Sequence, residues 1–185
     1  MRILRSADYP AMAWKNGGGE TREIMLLPAG ASLDDFDWRV SIARVDGDGP
    51  FSAFDGIDRT LTLLSGAMTL TDAAGEVARL DPASPPFAFD GGRAIAATVS
   101  DGPVLDLNVM TRRASHRHSV RRVPVRGDIS LVGTAPVTLA VALENGLACA
   151  AASLLQYDGV LLERGETARL QGDGTERTIL LIVIN

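Results

Sequence analysis

Lysine is almost missing from this chain. Of 18 basic residues among 185, only Lys15 is a lysine and the rest are arginines. Cysteine is nearly as scarce. Cys149 stands alone in an Ala-rich stretch, which excludes an internal disulfide and a cysteine-based zinc cluster and suits a small buried hydrophobe. There is no basic excess: 23 acidic residues give a net charge of −5, which argues against a dedicated nucleic-acid binder. No apolar run approaches the ~18 residues of a membrane-spanning helix; the longest is Ile179 to Ile184. Met1-Arg2-Ile3-Leu4-Arg5 is followed by no apolar segment of the kind that directs secretion. The expectation is a cytoplasmic globule in a reduced compartment, with one large domain or two small ones.

Helical periodicity is also scarce. Trp38 to Arg44 alternates with period two and ends in Asp46-Gly47-Asp48-Gly49-Pro50. Thr60 to Leu64 closes on Ser65-Gly66, and Val104 to Met110 follows a Ser100-Asp101-Gly102-Pro103 turn. Short alternating runs between turns indicate an all-β sandwich or barrel, and 19 Gly and 9 Pro supply the turns. Gly75-Glu76-Val77-Ala78-Arg79-Leu80 recurs as Gly165-Glu166-Thr167-Ala168-Arg169-Leu170, at an offset close to half the chain. Both copies resemble part of the small double-stranded barrel of cupins. The predicted fold is therefore all-β, a double-stranded β-helix with two similar cupin-like barrels in one chain. The first lobe is expected over 1–111, a basic connection over 112–127 and a degenerate second lobe over 128–185. One continuous sandwich with a coincidental hexapeptide is the alternative.

Alternate side chains of a strand face opposite ways. Arg39 and Ser41 share one face, as do Asp106 and Asn108. These four either line a polar lumen or face solvent, the usual place for charged residues. With a gap of sixteen, Leu105 to Met110 aligns on Ile179 to Ile184, so Asp106 and Asn108 fall on Leu180 and Ile182. A polar pair matched by apolar residues suggests one working cavity and one filled barrel.

The most unusual segment is Trp14-Lys15-Asn16-Gly17-Gly18-Gly19-Glu20-Thr21-Arg22. Three glycines permit close backbone approach and could turn N–H groups toward an anion; a tight bend between strands is the other reading. This is not a P-loop, in which the lysine follows the glycines. His116-Arg117-His118 begins like a metal set, but no other histidine exists and no acid occurs between Thr111 and Gly127. Arg112, Arg113, Arg117, Arg121, Arg122 and Arg126 crowd the same stretch, and their charge opposes a cation, so no metal is expected. The stretch reads as a solvated connection or as an arginine patch for an anionic partner. No Gly-x-Ser-x-Gly elbow and no Gly-x-Gly-x-x-Gly fingerprint is present.

Four blocks then resemble the HutD/Ves family, proteins often encoded with bacterial histidine-utilisation genes. They are Trp14 to Ile24, Trp38 to Ala43, Gly49 to Arg59 and Asp106 to Met110. The resemblance spans residues 9 to 113, with a weaker C-terminal lobe. It implies a double-cupin fold without metal-binding histidines, a pocket in the first lobe, and a regulatory role in histidine catabolism, sensing an intermediate such as formylglutamate. Ala11-Met12-Ala13 stands where the family often has a proline before the Trp-Lys-Asn-Gly block.

The leading expectation is a non-catalytic protein that binds a small dicarboxylate. Its expected ligand-binding residues are Lys15, Asn16, Gly17, Gly18, Gly19, Thr21, Arg39, Ser41, Arg59, Asp106 and Asn108. Arg39 or Arg59 would grip one carboxylate by paired hydrogen bonds, although Arg59 could instead brace Asp55 or Asp58. Lys15 and the glycine N–H groups would hold the other carboxylate, and Asn108 and Ser41 would read an amide or formyl group. No cofactor is expected. The partner is a small anionic metabolite, with no nucleic acid and no membrane. A second reading is a metal-independent isomerase or lyase, with Asp106 or Glu20 as base and Lys15 or Arg39 stabilising an oxyanion. A third is a homodimer that docks on another protein through Arg112–Arg126.

Overall fold

The computed structural model describes residues 1–185, the side chain of Asp101 apart. The chain opens with β1 (Arg2–Leu4) and a turn of 3-10 helix at Ser6–Asp8. There follow β2 (Ala11–Ala13), β3 (Gly19–Leu27), β4 (Trp38–Val45), β5 (Gly49–Pro50), β6 (Ile57–Asp72), β7 (Gly75–Leu80), β8 (Phe87–Asp90) and β9 (Ala96–Arg112). The remainder forms β10 (His118–Val125), β11 (Ile129–Val132), β12 (Val137–Ala142), β13 (Leu147–Cys149), β14 (Ala152–Leu154), β15 (Gly159–Leu162), β16 (Thr167–Gly172) and β17 (Arg177–Ile184). The fold is all-β, and among the described residues no helix is long and apolar enough to cross a membrane. Backbone contacts divide the chain into two compact units, Pro10–Arg117 and Met1–Tyr9 with His118–Asn185.

In Pro10–Arg117 one antiparallel sheet runs β2-β3-β4-β9-β6-β7, with β5 added to β9 and β8 to β6. Strands β6 and β9, 16 and 17 residues long, stay paired along most of their length. Their register shifts between Leu63 and Ser65 and again between Ser65 and Ala67, the bulges that let a sheet curl. Gly66 sits at the second shift with φ +77°, where a Cβ would stand 2.7 Å from Val104 Cγ1, so glycine is required there. Inside the curl, Leu61, Leu63, Met68, Leu70, Ile95 and Val104 form a core against partly buried Trp14, Phe51, Phe87 and Phe89.

The other unit has a five-stranded sheet, β1-β15-β12-β17-β10, and a four-stranded one, β11-β16-β13-β14. Its main apolar cluster includes Val125, Leu131, Ala140, Leu147, Cys149, Leu170, Ile179 and Leu181. The first nine residues belong here, not with the segment that follows them as the sequence suggested. Asp158, 1% exposed, accepts hydrogen bonds from Ser6 N at 2.7 Å, Arg5 Nη1 at 2.7 Å and Leu155 N at 3.1 Å. Burial alone would raise the Asp158 carboxyl, but the Ser6, Arg5 and Leu155 donors outweigh it and hold it below the usual range. Ile3 pairs with Val160, and Tyr9 Oη donates to Tyr157 O at 2.9 Å.

The expected connection over 112–127 is likewise mostly strand. Arg112 ends β9, and β10 pairs with β17 from His118↔Ile184 to Val125↔Arg177. Two of its arginines are held by their own unit: Arg112 Nη2 donates to Phe36 O at 2.8 Å, and Arg113 bridges Asp58 at 2.7 Å and Asp90 at 2.8 Å. The repeated hexapeptide leads from a positive-φ glycine into β7 in one unit and β16 in the other.

Candidate functional site

Strand β4 buries both of its faces. On one face stand Arg39, Ser41 and Ala43, directly opposite Met110, Asn108 and Asp106 of β9. β6 lies on the other side of β9 and pairs Arg59 with Met110; β3 flanks β4 and pairs Thr21 with Ala43. The period-two rule therefore gathers Thr21, Arg39, Ser41, Arg59, Asp106 and Asn108 on one concave surface. They line a cavity of about 520 Å³ whose wall also includes Lys15, Asn16, Trp14, Phe51, Phe54 and Met110.

Polar groups on this wall are connected. Arg59 Nε donates to Asn108 Oδ1 at 2.8 Å, and Asn108 Nδ2 donates to Asp106 Oδ1. Arg59 also lies over Phe51, 4.6 Å from the ring centroid, and over Phe89 at 5.4 Å, so aromatic faces fix its guanidinium. Its two terminal nitrogens make no hydrogen bond to the described residues and, unlike Asp106 Oδ2, are not sealed from solvent. Arg39 Nε pairs with Glu23 Oε2 at 3.1 Å. Trp14 Nε1 donates to Thr21 Oγ1 at 2.8 Å, which ties the entry loop to β3.

Both arginines are deeply placed, Arg39 at 7% and Arg59 at 9% exposure. Burial lowers Arg59 to about 10; Asp106 opposes that fall and the like charge of Arg39 adds to it. Asp106, 1% exposed, is pushed up by burial to about 7 against the pull of Arg59 and the Asn108 hydrogen bond. Its Oδ2 has no hydrogen-bond partner. Two guanidiniums beside an open cavity have the charge and geometry to pair with an anion, and Trp14, Phe51 and Phe54 make the adjoining part of the wall apolar.

Eight of the expected residues line the cavity: Lys15, Asn16, Thr21, Arg39, Ser41, Arg59, Asp106 and Asn108. Gly17, Gly18 and Gly19 do not line it. Gly17 N donates to Trp14 O at 3.0 Å and Gly18 N to Asn16 Oδ1 at 3.0 Å, so these N–H groups close a turn instead of facing an anion. Gly19 is needed for packing, since a Cβ there would lie 2.1 Å from Arg44 O. Lys15 and Asn16 are exposed on the rim. Arg59 braces neither Asp55 nor Asp58; Asp58 is held by Arg113. Glu20 pairs with Arg22 at 3.0 Å outside the cavity, so it faces away from the cations it was expected to serve.

The gapped match of β9 on β17 also needs correcting by one residue. Ile179 and Leu181 line the core of their own unit, which places Leu180 and Ile182 on the opposite face of β17. The residues whose facing corresponds to Asp106 and Asn108 are thus Ile179 and Leu181. Glu23, Phe51, Phe54, Phe89 and Met110 were missed. Met110 follows Asp106 and Asn108 in period two, and Phe51 and Phe54 lie inside the Gly49–Arg59 block. Glu23 and Phe89 carry no local signal. The histidines stand elsewhere: His116 Nδ1 bonds Ser115 Oγ at 2.8 Å, and His118 begins β10.

Known proteins resemble this chain in sequence and in fold. The HutD family model matches residues 6–180. Protein Ves of Citrobacter koseri is 41% identical over 113 residues, which are 60% of this chain and 58% of that protein; the match thus spans well under two thirds of that relative. A 21.2 kDa protein of Pseudomonas putida, described as lying in the hutC 3′ region, is 34% identical over 78% of this chain and 75% of its own length. A crystal structure of a conserved protein of unknown function from Pseudomonas aeruginosa PAO1 superposes with a TM-score of 0.87 at 33% identity, covering 100% of this chain and 98% of the other. HutD from Pseudomonas fluorescens SBW25 superposes with a TM-score of 0.81 at 30% identity, covering 100% and 97%. A cupin 2 conserved barrel domain protein from Leptotrichia buccalis gives 0.64 at 8% identity over 98% and 100% of the two chains, a likeness of fold alone that makes the architecture cupin-like.

Proposed function

The chain belongs to the HutD family, and from that membership and the pocket's chemistry we propose that it binds a small dicarboxylate without transforming it, in a regulatory role in histidine utilisation. The link to that pathway rests on the HutD relatives and on the Pseudomonas putida protein placed beside hutC. In this reading the two units are two cupin-like barrels, one hollowed for a ligand and one filled with apolar side chains. The occupant is a formylglutamate-like metabolite.

One observation carries the reading: two buried guanidiniums, Arg39 and Arg59, share a cavity wall and the terminal nitrogens of Arg59 have no acceptor. Guanidinium nitrogens that are uncommitted to protein acceptors on a cavity wall are free to take a bidentate carboxylate. Ser41 and Asn16 offer contacts for an amide or formyl group, and Lys15 stands at the rim for the second carboxylate. Calorimetry with formylglutamate, glutamate and urocanate tests this. Formylglutamate should bind and raise the melting temperature, and Arg59→Met should weaken it at least tenfold while the fold is kept. Absence of heat and of a melting shift with all three removes the ligand class.

A metal-independent enzyme is the second reading, and Asp106 is the observation that favours it. A carboxyl held by burial near 7 beside two cations is suited to move a proton to or from a small anion. Turnover of an anionic substrate, abolished in Asp106→Asn with ligand binding intact, would establish catalysis over sensing.

A further inference from the structure

Hydrogen-bond logic assigns Asp106 a definite role toward the occupant, given the dicarboxylate reading above. Arg59 Nε can only donate, so the atom of Asn108 that it reaches at 2.8 Å is the amide oxygen. That orientation turns Nδ2 toward Asp106, and Asp106 Oδ1 is an acceptor in either charge state. Any proton on Asp106 must therefore sit on Oδ2. Oδ2 is the oxygen without a partner, on a side chain 1% exposed that forms part of the cavity wall. Because Asp106 is a lining residue, a polar group of an occupant that settles against this part of the wall is the partner we assign to that oxygen.

The charged groups that surround Asp106 are few. Arg59 comes from β6, Arg39 from β4 with its partner Glu23 on β3, and Lys15 from the loop ahead of β3. The loop after β5 contributes Phe51, Ser52 and Phe54, and no histidine or cysteine is among the lining residues. A carboxylate set against Arg59 and Arg39 brings a negative charge beside Asp106. Two carboxyl groups in one desolvated site share a proton, because both cannot stay ionised there.

We propose that Asp106 meets the ligand in its acid form, Oδ2–H donating to a carboxylate oxygen of the occupant, so that binding of each anion above neutral pH draws one proton from solvent. The proton comes from water or buffer, no other bond is made or broken, and the bound state is ligand carboxylate, Asp106 acid and two guanidiniums. The opposite arrangement has ionised Asp106 accepting an N–H of the ligand, and it takes up no proton.

Titration calorimetry with formylglutamate and with glutarate separates these cases. Formylglutamate is fully ionised from pH 6 to 9 and glutarate from about pH 7, so in those ranges a proton taken up belongs to the protein. Runs in two buffers of different ionisation enthalpy should give an uptake near one at pH 8, falling toward zero at pH 6. The dissociation constant should rise about tenfold per pH unit above pH 7.5. Asp106→Asn keeps a donor at the Oδ2 position and cannot titrate; it should bind with no uptake and with a dissociation constant flat across the range. Binding by the wild-type protein with no uptake at pH 8, or with proton release, overturns this proposal and leaves the dicarboxylate reading standing. No heat from either probe at any pH overturns both.

Discussion

Replacing Asp106 by asparagine should stabilise the unliganded protein, and by an amount that depends on pH. Burial holds this carboxyl at about 7, whereas an open aspartate titrates near ~3.9. Between those values the folded chain keeps a proton that the unfolded chain has lost. Stability therefore falls as pH rises from about 4 to about 7, and is flat beyond. At about 1.4 kcal/mol per unit, the loss reaches up to about 4 kcal/mol. Asparagine is nearly isosteric, keeps an acceptor for Asn108 Nδ2, and never ionises. Urea denaturation of the two proteins at pH 4.5, 6, 7 and 8, in amine buffers that bring no small carboxylate, isolates the term, because every other titrating group cancels in the difference. The variant should exceed the wild-type protein by about 1 kcal/mol at pH 4.5 and by up to about 4 kcal/mol at pH 8, with an unchanged denaturant slope. A difference that does not vary with pH refutes the reasoning. So does the reverse trend, which would mean that Arg59 stabilises the Asp106 anion by more than burial penalises it.

Three further perturbations address the parts that hold the pocket. Gly19→Ala puts a Cβ 2.1 Å from Arg44 O, which forces β3 from β4 and should cost about 2–4 kcal/mol in urea unfolding; a loss below about 0.5 kcal/mol would show that the pairing gives way freely. Asp158→Ala strips the acceptor from Ser6 N and Leu155 N and should cost about 2–3 kcal/mol at pH 7. Its folded carboxyl lies below the ordinary value, so that contribution is present above about pH 4 and lost as pH falls through the folded value, and the gap between the two proteins should close in acid. Lys15→Arg keeps a charge on an exposed rim residue and should change the formylglutamate dissociation constant less than about twofold; a tenfold weakening would mean that the rim closes tightly on the ligand.

The polar wall was half legible in the sequence. Strand alternation is strictly two-fold, so Arg39 with Ser41, and Asp106 with Asn108, could be placed on common faces from spacing alone. Whether those faces met a lumen or solvent depends on how β6 and β9 curl at Gly66, a non-local property with only a Ser-Gly dipeptide as local sign. The same exactness made the gapped alignment fail, since one residue of slip exchanged Leu181 for Leu180 and with it the two faces of β17. Gly17 and Gly18 suggested an anion nest because composition shows conformational freedom, not where N–H groups point; Trp14 O and the Asn16 side chain had already taken them. Asp158 was unreadable for a different reason: its partners at Ser6 and Arg5 lie about 150 residues away.

The interiors of the two units bear on why a ligand is the best account of the pocket. Ile179 and Leu181 face inward in one unit, where Asp106 and Asn108 face inward in the other. The apolar solution is the more stable one, because replacing buried charges by well-packed hydrophobic residues is often neutral or stabilising by about 1–4 kcal/mol. A sequence shaped only for folding has no reason to keep two arginines and an unpartnered carboxyl oxygen on a concave wall. Aromatic rings hold Arg59 in place, yet its terminal nitrogens are left without acceptors. On the dicarboxylate reading proposed above, this is preorganisation at the expense of stability, the pattern expected where a bound anion completes the network.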